Sequence, residues 1–525
     1  ASSSRISFES FPDKVFYPIT INKNQICDLL VSEEIQYQSE INAIEWAESR
    51  YKPTPTIIQA AQALYQKHQV DEITRSDAGA NNLSTTTTCI NSIIDNSKLN
   101  NRKTICFVTG VPGAGKTLAG LNLAIQRKNI DEDEHAVFLS GNGPLVDVLR
   151  EALARDEVSR GKEAQKNIIK EEQKKITKQD AKRKASSFIQ NIHHFRDDSL
   201  SSEKAPIEKV VVFDEAQRAW DEKQTTRFMK ERGEWNYTVS EPEFLISIMN
   251  RHENSCTIIC LIGGGQEINT GEAGLGEWFR ALQKSFNSWD IHYSELILTD
   301  NNYLNENNVI RWIQSKGIPE KDLHLGVSLR SFRSEHLSAF VKNCLDLDYV
   351  KAQLIYKNNL EENYPLYVTR DLQTAKKWLQ GQARGTERFG LVASSGGARL
   401  RPFGINVKSK IDAPNWFLND ENDIRSSYFM EEVATEFDIQ GLELDWVGLC
   451  WDADLYINSV GNWEFQDFTG TTWKNVHIEL KRDYLKNAYR VLMTRARQGM
   501  IIFIPNGNES DNSRLSKFYD GTFKY

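Results

Sequence analysis

No run of about eighteen apolar residues occurs in this chain, and its first residues, Ala1-Ser2-Ser3-Ser4-Arg5, lack the charged-then-apolar pattern of a leader. Together these absences predict a soluble, cytoplasmic protein with no membrane partner. Cysteine is scarce: seven residues, an odd number and scattered, which argues against a disulfide framework. Cys256 and Cys260 flank Thr257-Ile258-Ile259 with no His or Cys cluster beside them, so a core strand is predicted there and not a metal site. Surplus positive charge is also missing. The net charge is −8 and the pI about 5.8, so any nucleic-acid contact has to come from a local patch. No nuclease motif is evident.

What is present begins with length. At 525 residues with 40% hydrophobic content, the chain exceeds what one core supports, and two or three domains are expected. Gly110-Val111-Pro112-Gly113-Ala114-Gly115-Lys116-Thr117 fits the phosphate-loop pattern G-x-x-x-x-G-K-[ST] and follows the apolar run Ile105-Cys106-Phe107-Val108. Gly110, Gly113 and Gly115 let the backbone N–H groups curl toward an anion, and a helix starting near Lys116 adds its positive end. Lys116 is assigned to the β and γ oxygens of a triphosphate, and Thr117 to magnesium. ATP and Mg²⁺ are therefore the implied cofactors.

A second strand, Val210-Val211-Val212-Phe213, ends in Asp214-Glu215. Asp214 is placed to hold magnesium, and Glu215 to orient and deprotonate an attacking water. A third, from Thr257 to Ile262, ends in Gly263-Gly264-Gly265-Gln266. Gln266 can there sense a γ-phosphate, because its amide both donates and accepts; a polar cap on a glycine turn is the alternative. Residues 136–139 form a further strand, and 295–299 are expected to finish the first sheet. The alternation of strands and helices implies parallel sheets with ligands at the carboxyl ends of the strands.

Before residue 100 the pattern is helical (36–51 and 57–68), with a polar break at 76–88. Gln59 could read an adenine edge, an exposed helix residue being the alternative. Residues 159–187 interrupt the first sheet with ten basic and four acidic residues. Lys162, Lys166, Lys170, Lys174, Lys178 and Lys182 recur at every fourth position, a row that drifts about 40° per step around a helix. Either a nucleic-acid contact or a solvated helix fits that pattern.

A second α/β alternation starts near 325, with strands at 366–368, 390–393, 446–450 and 500–504, and no phosphate loop of its own. It carries Leu329-Arg330-Ser331-Phe332-Arg333-Ser334 and, on an apolar-faced helix, Tyr489-Arg490-Val491-Leu492-Met493-Thr494-Arg495-Ala496-Arg497. Arginine suits phosphoryl transfer, although either cluster taken singly could be structural. Residues 434–445 read as a polar loop entering a strand.

This ordered set, from the phosphate loop through D-E-A-Q, R-S-F-R-S and F-D-I-Q-G-L-E-L-D to T-R-A-R, resembles a superfamily 1 helicase. In particular it resembles the bacterial Schlafen-type (group 3-like) DNA/RNA helicase domains, with which Ser140-Gly141-Asn142-Gly143-Pro144 also agrees. The resemblance implies two RecA-like P-loop NTPase domains with parallel sheets, at 101–325 and 326–525. A helical region at 1–100 and a charged helical insertion at about 155–190 complete the expected layout.

The family pattern further implies that Arg333 and Arg495 are arginine fingers and that Gln440, Gly441 and Glu443 meet the nucleotide; Asn142 and, on the insertion's charge, Lys166, Lys170, Lys174 and Lys178 are the candidate nucleic-acid contacts. The expected activity is ATP-driven translocation on, or unwinding of, single-stranded DNA or RNA. A nuclease or other protein partner and a part in genome defence are further implications. The alternative is a nucleic-acid-stimulated or protein-partnered ATPase that does not unwind. One departure stands out: no acidic residue precedes Gln266, and the next tryptophan, Trp278, is distant from it, which puts the family's usual base-stacking residue in doubt.

Overall fold

The computed structural model describes residues 55–66, 68, 77–111, 113–127, 135–166, 177–200, 202–231, 238–263, 274–299, 303–304, 306–327 and 332–525, without the side chains of 77–79, 163–166 and 332–335. All belong to one compact unit, Pro53–Tyr525. The expected helix at 36–51, Gln266, Arg330, Lys170 and Lys174 lie outside the described residues, as do the side chains of Lys166 and Arg333.

Two parallel sheets organise the unit. The first contains β1 (Lys103–Gly110), β2 (Ala136–Ser140), β3 (Ile189–Asn191), β4 (Val210–Asp214), β5 (Cys256–Ile262), β6 (Asp290–Ser294), β7 (Ile318–Glu320) and β8 (His324–Leu325). Its order is β3-β2-β4-β5-β1-β6-β7, with β8 beside β1, and every described pairing is parallel. The central strands are continuous apolar runs because helices cover both faces. Register sets Ser140 beside Asp214 and Thr109 beside Ile262. The carboxyl ends of β1, β2, β4 and β5 therefore share one edge.

The second sheet holds β9 (Leu366–Thr369), β10 (Phe389–Ala393), β11 (Val433–Ala434), β12 (Leu444–Cys450) and β16 (Ala496–Phe503), in the order β11-β10-β12-β16-β9, all parallel. A small antiparallel sheet of β13 (Leu455–Ile457), β14 (Trp463–Thr469) and β15 (Thr472–Asn475) attaches to it. The fold is thus α/β, with two RecA-like sheets and a helical region before the first.

Three local expectations are corrected. Residues 295–299 are not a strand; β6 ends at Ser294 and Leu296–Thr299 turns as a helix, with Ile297 buried. The polar break at 76–88 is instead the start of a helix, Asp77–Leu99. Leu83, Ile90, Ile93 and Ile94 make its buried stripe, and tertiary contacts satisfy its polar residues. Thr86 Oγ1 donates to Asp322 O at 2.7 Å, and Asn82 Nδ2 to His324 O at 3.3 Å. Lastly, 434–445 is not all loop: β11 and a capped helix, Glu436–Ile439, occupy its first half. Gln59 is the N3 residue of a capping box with Thr56, so its amide serves the start of helix Ile57–Tyr65.

The described cysteines are all free, and Cys106, Cys256, Cys260 and Cys450 are buried. Among the described residues no three or more His, Cys, Asp or Glu side chains cluster so as to hold a metal ion by themselves, and no helix is long and apolar enough to cross a membrane.

Candidate functional site

β1 delivers the chain to the phosphate loop, where Gly113 (φ 77°) and Gly115 (φ 83°) take left-handed backbone that a side chain would resist. Val111 N donates to Leu325 O at 3.0 Å, tying the loop to β8. Helix Lys116–Arg127 follows, its Leu118, Leu121 and Leu123 buried against the sheet. The Lys116 ammonium folds onto its own loop, donating to Gly110 O at 2.8 Å and Val111 O at 3.3 Å. Behind the loop, Thr109 Oγ1 donates to Ser294 Oγ at 2.6 Å and lies 3.0 Å from His324 Nδ1. Burial and the Lys116 charge both hold that imidazole below its ordinary range, which keeps it neutral.

Thr117 Oγ1 donates to Asp214 at 3.1 and 3.2 Å, so the two residues expected to share a divalent ion are in contact. An all-oxygen pair of hydroxyl and carboxylate fits Mg²⁺, which binds through one or two carboxylates and keeps several waters. Burial pushes the Asp214 carboxyl up to about 7 and the Glu215 carboxylate adds to the shift, while the Thr117 hydroxyl and Lys116 ammonium oppose it.

A carboxyl that is neutral more readily when folded contributes stability that is full below its unfolded value near 4 and is lost as pH rises through 7. Asp214→Asn is therefore expected to stabilise the metal-free chain at pH 8, on the order of 1–3 kcal/mol, and to leave it unchanged near pH 4. Thermal unfolding at both pH values measures this. A variant less stable at pH 8 would mean that the surroundings favour the carboxylate.

Glu215 adopts left-handed backbone (φ 53°, ψ 47°), a conformation of order 1–3 kcal/mol above the favoured regions for a residue with a side chain. It is held there by a residue the sequence reading passed over. Gln217, 2% exposed, donates through Nε2 to Glu215 Oε2 and accepts at Oε1 from Gly263 N at 3.1 Å. A Cβ at Gly263 would sit 3.0 Å from Glu215 Oε2, a tight contact that would press the carboxylate a few tenths of an ångström from its place. The signal was present as the last letter of D-E-A-Q, but nothing in the sequence says which strand end that glutamine reaches.

Trp278, the tryptophan following the third motif, is wholly buried and donates Nε1–H to Ala216 O at 2.8 Å. It packs on Phe107 and Phe213 and offers no face to a base.

The two sheets meet through Asn142, whose Nδ2 donates to Gln440 O and whose Oδ1 accepts from Leu145 N at 3.2 Å. Each end of the amide of this expected nucleic-acid residue thus makes one hydrogen bond inside the protein. Gln440 is buried, and its own Nε2 has no hydrogen-bond partner among the described residues. Arg155 Nη1 donates to Leu418 O at 3.2 Å, extending the contact between helices Gly143–Lys166 and Ala413–Leu418. Arg495 is 5% exposed, its Nε donating to Val491 O at 3.3 Å at the amino end of β16. Glu443 lies 4.0 Å from Arg497, beside the same strand end.

The basic insertion is largely satisfied from within where it is described. Lys178 lies 2.5 Å and Lys182 3.8 Å from Glu151, Lys184 2.6 Å from Glu157, and Arg160 2.8 Å from Asp156.

A family model described as "Schlafen group 3, DNA/RNA helicase domain" matches residues 103–506, well over half of the chain. The chain belongs to that family. No curated protein matches this group 3 helicase-domain chain significantly. The crystal structure of the Pyrococcus furiosus Hef helicase domain aligns over 80% of this chain and 95% of that one, at 11% identity and a TM-score of 0.26, too distant to argue from. Family membership covers both sheets and every site residue above, because the match begins at β1 and ends just after β16.

Proposed function

We propose that the chain is an ATP-hydrolysing nucleic-acid motor of superfamily 1, its lobes dividing near residue 326. The observation that carries this is the contact of Thr117 with Asp214, beside Lys116 and Glu215, which brings together the carboxyl ends of β1 and β4 on either side of β5. Lys116 binds the β and γ oxygens once they replace the loop carbonyls it now holds, and the phosphate-loop N–H groups cradle the same anion. Thr117 and Asp214 hold Mg²⁺, which supplies positive charge to the leaving phosphate.

Glu215, aimed by Gln217, orients a water in line with the γ-phosphate and takes its proton. Gln266 senses that phosphate. Arg333 and Arg495 supply positive charge from the second lobe as γ-phosphate charge develops, and Gln440, Gly441 and Glu443 complete the nucleotide contacts. Closing and opening of the lobes then moves a single strand of DNA or RNA. A place in defence against foreign nucleic acid belongs to the same reading, on the family resemblance alone.

The internal pairing of Lys178, Lys182 and Lys184 favours a second reading, an ATPase whose partner is another protein and which does not unwind. Phosphate release with no nucleic acid, single-stranded DNA, single-stranded RNA or duplex separates the two. A motor is expected to be stimulated several-fold by one of the single strands. A rate indifferent to all of them supports the protein-partnered ATPase.

A further inference from the structure

If the chain works on a single strand, some ring has to hold its bases, and Trp278 is sealed in the core. Phe437, 39% exposed, lies on the short helix Glu436–Ile439, just before the Gln440 that meets Asn142 of the first sheet. Its exposure is built into the fold, because Glu436 and Ile439, on the same one-turn helix, are 3% and 0% exposed. The backbone beneath the ring is pinned twice. Thr435 donates its N–H at 2.8 Å and its hydroxyl at 2.7 Å to Asp438. The Glu436 carboxylate accepts from Ser395 N at 2.8 Å and Ser395 Oγ at 2.6 Å, so its charge is turned inward. The chain then passes to Gln440, whose carbonyl meets Asn142 just beyond β2.

Charge accompanies the ring. Residues 394–411, which follow β10, contain Arg399, Arg401, Lys408 and Lys410 and no acidic residue, inside a chain of net charge −8. Arg399 pairs with Asp511, while Arg401, Lys408 and Lys410 are exposed. Lys408 Nζ donates to Ser395 O at 2.8 Å. Ser395 is the residue that grips Glu436, so the ammonium is tied through Ser395 to the residue that precedes Phe437. A lysine has three donors, and one carbonyl leaves two for phosphate oxygens.

We propose that Phe437, together with Lys408 on the loop that grips its neighbour Glu436, is a base-stacking subsite for a single nucleic-acid strand at the carboxyl edge of the second sheet. The inference rests on the motor reading above and names where that strand is gripped. A rigid exposed ring whose supporting loop carries exposed cations suits an unpaired base followed by its phosphate, whereas a duplex keeps its base faces covered. The insertion at 159–187 is less suited where described, since a phosphate would have to displace Glu151 and Glu157 from their lysines.

The test is fluorescence anisotropy of labelled single strands on the full chain, with and without an abasic stretch, alongside wild-type ATP turnover. Phe437→Ala is expected to weaken the base-bearing strand about 5- to 150-fold, the span of one lost stacking contact, and to leave the abasic strand unchanged. Phe437→Trp is expected to restore affinity, with its indole fluorescence quenched on titration. Lys408→Gln with Lys410→Gln is expected to weaken both strands and to flatten the log–log salt dependence by about 0.7 per lost contact.

Wild-type affinity in Phe437→Ala, or equal losses on both strands, overturns the subsite while ATP turnover leaves the motor's catalytic half standing. A chain that turns over ATP but binds a peptide of acidic residues and no strand also overturns it. Absence of ATP turnover in the wild type overturns the parent reading itself.

Discussion

Replacing Lys116 by alanine is expected to abolish ATP turnover and weaken nucleotide binding, whereas Glu215→Gln is expected to keep the nucleotide bound and stop hydrolysis. The ammonium now rests on two carbonyls, Gly110 O and Val111 O, weak partners that phosphate oxygens outcompete. Without it the β and γ charges are uncompensated in a partly buried loop. Glu215→Gln removes only proton affinity, because the amide oxygen can still accept from Gln217 while the bound water keeps its proton. General-base catalysis is worth about 10²- to 10⁴-fold, which is the loss expected in kcat. Binding of a fluorescent ATP analogue and phosphate release, measured on both variants, separate the two roles. Equal loss of affinity in both would defeat the assignment.

Arg495→Ala carries the second large effect: turnover is expected to fall on the ~10³- to 10⁵-fold scale of an arginine finger, with nucleotide affinity little changed. Arg495→Lys is expected to rescue poorly, since an ammonium lacks the planar fork that meets two oxygens. Stability has to be followed as well, because Arg495 is buried and its Nε satisfies Val491 O. The side chain does not carry the strand pairing; it is the Arg495 carbonyl that accepts from Leu444 N at 3.1 Å. A variant that unfolds normally yet turns over slowly marks a catalytic arginine. One with the wild-type rate marks a structural residue and removes a support of the two-lobe cleft.

Much of the site was legible because its parts are local. A phosphate loop is eight consecutive residues, and Asp214-Glu215 are neighbours at a strand end, so motif and chemistry coincide in the chain. Gln217 and Gly263 were not legible as a pair, because the distance that matters is a through-space one between β4 and β5. The helix Asp77–Leu99 was missed for a related reason. Its Asn and Thr residues favour breaks when exposed, and the contacts that satisfy them come from Asp322 and His324, more than two hundred positions away. The insertion shows the converse: its lysine count suggested an open basic surface until Glu151, Asp156 and Glu157 were found against it.

By itself the sequence determined the class of fold, the longer strands β1, β2, β4, β5, β9, β10, β12 and β16, the phosphate loop and its acidic partner strand, since each depends on periodicity or on adjacent residues. The order of the strands across each sheet, and with it the contact of Thr117 with Asp214, was decided only in three dimensions. So was the meeting of Asn142 with Gln440, and the difference between a tryptophan sealed in a core and a phenylalanine exposed on a short helix. The physical reason is that exposure and charge compensation are set by whatever packs alongside, and a residue's neighbours in space are not its neighbours in the chain.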